Sequence, residues 1–256
     1  MISFVKRRLS RESKKLRSSS KPSTSPDLLD CVRRYGRALL LGLMMVAGSP
    51  ARADSTVDMS AKNLMVVIRE SIGANKQTET LEPMGRMRAK LADGKEVEFE
   101  LCAFLLLGDM HIRFVFDGLS MMQNAKPQDL ARLGLAPAEA LQLAVANIKR
   151  VYGDPVVKPW DNGVMEVAGR SPDLDSSYFL DREFWQRRLQ DHPEGLVAAV
   201  PRRGALLFAP LARRDAVDWL RRNINQIYAS GDRLRVSSGL YLFKDDRWTV
   251  FQSPKN

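Results

Sequence analysis

Apolar and polar positions change period several times along the chain, and those changes divide it into elements. Leu64, Val67 and Ile68 recur at helical spacing, which predicts a short amphipathic helix over Ala61–Ser71. Strands follow. Val97, Phe99 and Leu101 alternate with Glu96, Glu98 and Glu100, giving a strand with one buried and one wet face. Met84–Leu91 and Glu96–Leu107 flank Asp93-Gly94, a pair that tolerates the positive φ of a tight hairpin turn. From Leu101 to Leu107 the run is wholly apolar, as in a central strand, and Ile112–Phe116 makes another before Asp117-Gly118. Pro137–Tyr152 reads as a helix, with Pro137 at its first position, a stripe of Leu141, Val145, Ile148 and Tyr152, and Gly153 as the stop. Asp154–Arg170 reads as a short strand pair or structured loop, and Arg182–Gln190 as a helix. Leu196–Val200 and Ala205–Phe208 form a hairpin across Pro201–Gly204. Arg213–Tyr228 is a second strong helix, with Val217, Leu220, Ile224 and Ile227 inward. Leu240–Phe243 and Trp248–Phe251 turn at Asp245-Asp246. Hairpins grouped between helices predict an α+β fold, a mixed sheet of antiparallel hairpins packed by two main amphipathic helices.

Charge changes the picture at the N-terminus. The formal charge of the 256 residues is +10, which suggests a nucleic-acid partner. Residues 1–53 carry 12 basic and 3 acidic residues, leaving 28 basic and 27 acidic in the rest. The basic stretch Arg33–Arg37, the apolar run Ala38–Ala47 and the small residues of Ala51-Arg52-Ala53 have the order of an export leader. The apolar run is shorter than the roughly 20 residues that span a bilayer. The expectation is therefore cleavage near Ala53 and release to the periplasm or medium, with membrane contact only through the leader. The surplus charge leaves with it, so no nucleic-acid partner is expected. Residues 1–31 are Ser-, Lys- and Arg-rich and long for a leader, which raises translation from Val32 as an alternative start. Residues 54–60 read as a loose connector and 61–256 as a single domain.

Candidate chemistry is sparse. Cys31 falls in the leader, so Cys102 is alone and no internal disulfide can form; its apolar run predicts a buried, inert thiol. His111 and His192 are the two histidines; Asp109, His111 and Asp117 lack the tight spacing of metal ligands, and neither a metal nor a cofactor is expected. Asp109, with Gly108, reads instead as a turn between strands, and His192 as a partner to a helix end. Asp173, Asp175, Ser176 and Ser177 form a polar loop flanked by Gly and Pro, a candidate ligand site with helix capping as the plainer role. Among the arginine pairs, Arg202 and Arg203 at a hairpin tip and Arg214 and Arg221 on one helix face could form a cationic patch, or an ordinary solvated face. Trp160, Trp185, Trp219 and Trp248 count as core.

Several strings resemble the YtpQ-like bacterial proteins, a family whose domain has no assigned function. Leu133-Gly134-Leu135 leads into Pro137–Leu141 and Ala146-Asn147-Ile148, and Asp175–Leu180, Val197–Pro201, Ala205–Phe208 and Ser238–Phe243 follow in order. The resemblance runs from about 112 to 251 and implies the same α+β fold. It brings no catalytic residues. The family's members are cytoplasmic, whereas this chain carries a leader, and the N-terminal third matches poorly. The resulting expectation is a non-catalytic binding or interaction module of the cell envelope, with an unknown envelope component or protein as partner. The alternative is an envelope hydrolase drawing on Asp175, Ser176 or Ser177. A partner-dependent scaffold using the arginine pairs is the third reading.

Overall fold

Most of the expected hairpins form, each closed by the turn its sequence supplies. The computed structural model describes residues 57–90, 93–118 and 121–255, and Asp54–Asn256 makes one compact unit. The expected leader, its expected cleavage near Ala53 and the alternative Val32 start lie outside the described residues. The fold is α+β. Strands divide among three sheets, and each described pairing is antiparallel, where one mixed sheet was expected.

The first sheet has the order β1 (Leu64–Glu70), β6 (Met110–Asp117), β5 (Ala103–Leu107), β2 (Glu82–Pro83), with β7 (Met122–Asn124) beside the far end of β6. The second has the order β13 (Arg247–Gln252), β12 (Leu240–Lys244), β10 (Leu196–Arg202), β11 (Ala205–Pro210), β9 (Met165–Ala168), β8 (Val156–Pro159). The third is the lone hairpin of β3 (Arg86–Lys90) and β4 (Glu96–Glu100). Among the described residues there are four α-helices: α1 (Pro127–Leu133), α2 (Pro137–Tyr152), α3 (Arg182–Asp191) and α4 (Arg214–Ala229). None of the described helices is long and apolar enough to cross a membrane.

Three expectations are corrected. The helix over Ala61–Ser71 is a single 3-10 turn, Ala61–Asn63, followed by β1. Met65 and Val66 fill the gaps in the helical spacing, and an unbroken apolar run with three β-branched residues suits a strand buried on both faces. The stretch Glu96–Leu107 breaks at Leu101-Cys102, so β4 and β5 belong to different sheets. Hairpin β3–β4 forms a sheet of its own, and Phe99, expected to be buried, is 37% exposed. The described part of the connector is tied down rather than loose. Val57 and Met59 pack on the core, and Arg132 donates to the Met59 carbonyl at 2.8 Å.

Packing follows the parity of the strands. In β10 and β11, Leu196, Ala198, Val200, Leu206 and Phe208 face the main core. Their neighbours Val197, Ala199, Leu207 and Ala209 face Ala216, Val217, Leu220 and Ile224 of α4. A sheet covered on both sides explains why this hairpin is apolar throughout. On α2 the buried face is Ala140, Ala144, Val145, Asn147 and Ile148, turned slightly from the expected stripe. The alanines let the helix approach β1 closely, and Asn147 donates to the Ala61 and Leu64 carbonyls at 2.8 and 2.9 Å.

A polar seam joins the first two sheets. The Tyr241 hydroxyl of β12 donates to Asp109 Oδ1 at 3.1 Å and lies 2.7 Å from Ser237 Oγ. Gly108 turns β5 into β6 at φ +57°, with the Tyr241 ring so close that no Cβ would fit. Burial pushes the Asp109 carboxyl up, against the bonds from Ser237 and Tyr241.

Candidate functional site

Asp175, Ser176 and Ser177 lie in a buried 3-10 turn, Asp175–Leu180, that locks the core together. Asp175 Oδ1 accepts from the Gly169 N–H at 2.7 Å, and burial above all raises its carboxyl above the usual range. Ser177 Oγ donates to the Val66 carbonyl at 2.8 Å, closing the outer edge of β1. Ser176 is fully buried, and its N–H donates to the Arg203 carbonyl at 3.2 Å. Tyr178 and Phe179 continue the turn into the core, where their carbonyls accept the Trp185 Nε1–H at 3.0 and 3.1 Å. Asp173 alone stays exposed. An open ligand loop is thus corrected to a joint. The plainer capping role is corrected too, because Asp181, not these residues, accepts from Phe184 N at 3.2 Å and caps α3.

Among the described residues, no hydrogen bond joins a serine to a histidine. His111 Nε2 accepts from Arg113 Nε at 2.8 Å. His192 sits at the C-terminal cap of α3, in a recess with Arg188, Phe208 and Arg213. Among the described residues, no group of three or more His, Cys, Asp or Glu side chains could hold a metal ion. Cys102 is buried, and burial, with Asp129 adding to it, pushes its thiol up to about 11. Such a thiol is a poor nucleophile.

The four arginines of the expected patch separate into two places. Arg214 and Arg221 line a recess with Glu194, where Arg221 stacks 4.7 Å over the Phe251 ring and pairs with Asp218 at 3.7 Å. Arg202 lies against Gly231, past the opposite end of α4, so Arg214 is about 25 Å away along the helix. Helix α4 runs antiparallel to β11 and carries its N-terminal arginines away from the hairpin tip. Trp185 and Trp248 are core as expected, Trp219 is half-buried, and Trp160 is exposed.

A cavity of about 450 Å³ opens between α2, the start of α3 and the segment before β2. Leu81, Leu106, Leu141, Val145, Leu180 and Trp248 make its walls. Ala138, Gln142, Ala146 and Lys149 recur along one side of α2, and the two alanines leave the space open. Its mouth is charged. Lys149 Nζ lies 2.9 Å from Glu183 Oε2, 3.4 Å from Asp181 Oδ2 and 3.7 Å from Asp154 Oδ1. Burial lowers the Lys149 ammonium, but the bonds and charges of Glu183 and Asp181 outweigh it and hold the group above its ordinary range. Arg182 bonds Glu79 Oε1 and the Asp246 carbonyl, while Glu79 Oε2 accepts the Trp248 N–H at 2.8 Å.

One further constellation escaped the reading of the sequence. Arg69 of β1 pairs in register with His111 of β6, and Arg113 follows His111 by two, so all three share a face. Arg203 comes in from the β10–β11 turn. Burial first, then Arg113 and Arg69, press the His111 imidazole down to about 4, with the Glu70 carbonyl opposing. Burial, Arg203 and Arg113 bring Arg69 down to about 10, with Asp173 opposing. Arg113 is lowered by burial and by Arg203. Its signal in the sequence was the pair of polar residues at alternate positions of an otherwise apolar strand.

Comparison of the chain with protein-family models, curated proteins and solved structures returns no match.

Proposed function

We propose that this chain is an exported, non-catalytic binding module of the cell envelope, and that the cavity beside α2 and α3 is where it takes its ligand. One observation carries the reading: the ionic groups at the mouth are committed to one another. Lys149 is engaged by Asp154, Asp181 and Glu183, and Arg182 by Glu79. A bound molecule meets apolar walls and a rim of charges paired with one another, Asp181 Oδ2 through its ion pair with Lys149 alone. Among the described lining residues there is no histidine or cysteine to act as base or nucleophile. Glu79, Asp181 and Glu183 outnumber Lys149 and Arg182 among the lining residues, so a neutral ligand with an apolar body suits the site better than an anion. The order of basic, apolar and small residues before Asp54 supports export. Kinship with the YtpQ-like proteins belongs to the same reading. The shared strings fall on α2, the 3-10 turn, β10, β11 and β12, the elements that build the core.

The test is fluorescence of the neutral dye Nile red with the full chain. Wild type brightens the dye, and Ala146→Trp, which fills the cavity from an exposed helix position, abolishes the effect while melting at the same temperature. An equal dye response in both proteins removes the cavity from the proposal. Hydrolysis of generic ester or amide substrates that disappears in Ser176→Ala would restore the hydrolase. Edman sequencing of the protein recovered from its host is expected to start at Asp54.

A further inference from the structure

The arginine cluster on the β1–β6 face shares no residue with the cavity lining. Among the described residues, no carboxylate lies within 4.0 Å of the guanidinium nitrogens of Arg69, Arg113 or Arg203. The three cations are half-buried. The proton affinity of Arg69 and of Arg113 is lowered by burial and by a neighbouring guanidinium, Arg203 acting on both and Arg113 on Arg69. The polar atoms around them are short of acceptors. Arginine offers only donors. His111 spends its Nε2 lone pair on Arg113, which places its proton on Nδ1, and that buried Nδ1 makes no well-formed hydrogen bond, although the Glu70 carbonyl acts on it. Arg203 Nε is buried without a partner as well. Ser176 Oγ, on the residue whose N–H binds the Arg203 carbonyl, is a third. A fold that repels its own charges and leaves buried donors empty is completed by an acceptor from outside.

We propose that Arg69, Arg113 and Arg203, over His111, form a binding site for a phosphoryl group. Charge selects this class. Asp173 offsets one of the three guanidiniums from a distance, leaving a net charge of two, and a phosphate monoester carries about −1.5 to −2 at neutral pH. A carboxylate supplies half of that. The guanidiniums come from three separate elements, β1, β6 and the β10–β11 turn, and a tetrahedral oxyanion has an oxygen to offer each. The site is independent of the cavity, so either proposal stands if the other falls.

The experiment measures the melting temperature of the full chain in inorganic phosphate against chloride at equal ionic strength. Wild type is expected to melt higher in phosphate, in a saturable way. Arg203→Gln and Arg113→Gln are expected to lose at least tenfold in apparent phosphate affinity. In chloride Arg203→Gln should melt no lower than wild type, because it removes a repelled cation. Arg113→Gln also gives up its bond to His111 and is read by its phosphate affinity alone. Arg202→Gln, the neighbouring change outside the cluster, should keep the full response. Vesicles of phosphatidylcholine with phosphatidic acid separate the two sources. Retention that free phosphate competes away assigns a lipid headgroup, and a phosphate response without retention assigns a soluble phosphate; both support the site. Equal melting in the two salts overturns the proposal, and so does a phosphate response lost equally in Arg202→Gln and Arg203→Gln.

Discussion

Around Lys149, three carboxylates stand within 4 Å of one ammonium; around Arg113, two more guanidiniums gather and no carboxylate of the described residues comes that close. The first group is arranged by its own attractions. The second is held in place by the strands beneath it, since β1 and β6 stay in register through buried Leu64, Val66, Ile68, Ile112, Phe114 and Phe116 whatever the charges above them do. Packing can thus impose an electrostatic arrangement that the charges alone would not adopt. The first region should lose stability when its charges are removed, and the second should gain.

Acid gives the largest break in this comparison. The folded-state pKa of His111, about 4, lies below the unfolded value of 6.5, so the folded chain favours the neutral imidazole. That contribution is complete above pH 6.5 and disappears as pH falls through 6.5 towards 4, a loss of roughly 3 kcal/mol. Asp109 and Asp175 work against it, since their raised carboxyls favour the fold as they protonate. Urea titrations between pH 7 and 4 should show a shallower acid decline in His111→Gln than in wild type, and parallel curves would refute the assignment.

Asp181→Ala comes next. It removes the cap of α3 and the buried partner of Lys149 together, and a loss of about 2 kcal/mol in chemical denaturation is expected. Asp181→Asn should recover roughly half by keeping the cap.

Arg203→Gln is expected to move stability the other way, by about 1 kcal/mol in phosphate-free buffer, because the other two guanidiniums lose a like charge. A destabilised variant would mean that Arg203 has an attraction the contrast overlooks.

The smallest effect sets the baseline. Arg86 and Arg88 approach Glu98 at 3.5 and 3.3 Å on the solvent-facing hairpin β3–β4. Glu98→Ala should change stability by less than about 0.5 kcal/mol.

Local signals carried far in this sequence. Pro137 and Gly153 bound α2 as they stand, Asp93-Gly94 and Asp245-Asp246 turn their hairpins, and β10–β11 occupies the expected strands with short extensions. What failed was non-local. The apolar positions of β1 satisfy helical spacing as well as strand burial, and only pairing with β6 decides between them. Helix α1 went unread, being seven residues between a proline and a glycine. Asp175, Ser176 and Ser177 have the composition of a surface loop, yet their partners, Gly169, Arg203 and Val66, are brought together only by the fold. Lys149 and Asp181 are likewise 32 positions apart and unremarkable alone. His111 and Arg113 were the legible part of the missed cluster, because a strand as apolar as β6 has little reason to carry two basic residues on one face; Arg69 joins them only through the pairing of β1 with β6.

Gly108 and Tyr241 have a mechanical consequence. The ring of one sheet's tyrosine fills the space over the other sheet's turn, and Ser177 fastens the outer edge of β1 through the 3-10 turn that also touches β11. Neither sheet can peel away or slide without pulling an aromatic side chain out of its slot. The backbone amides of β1 and β10 should therefore exchange with deuterium only when the whole domain opens, at one shared rate, while the β3–β4 arm exchanges freely and independently.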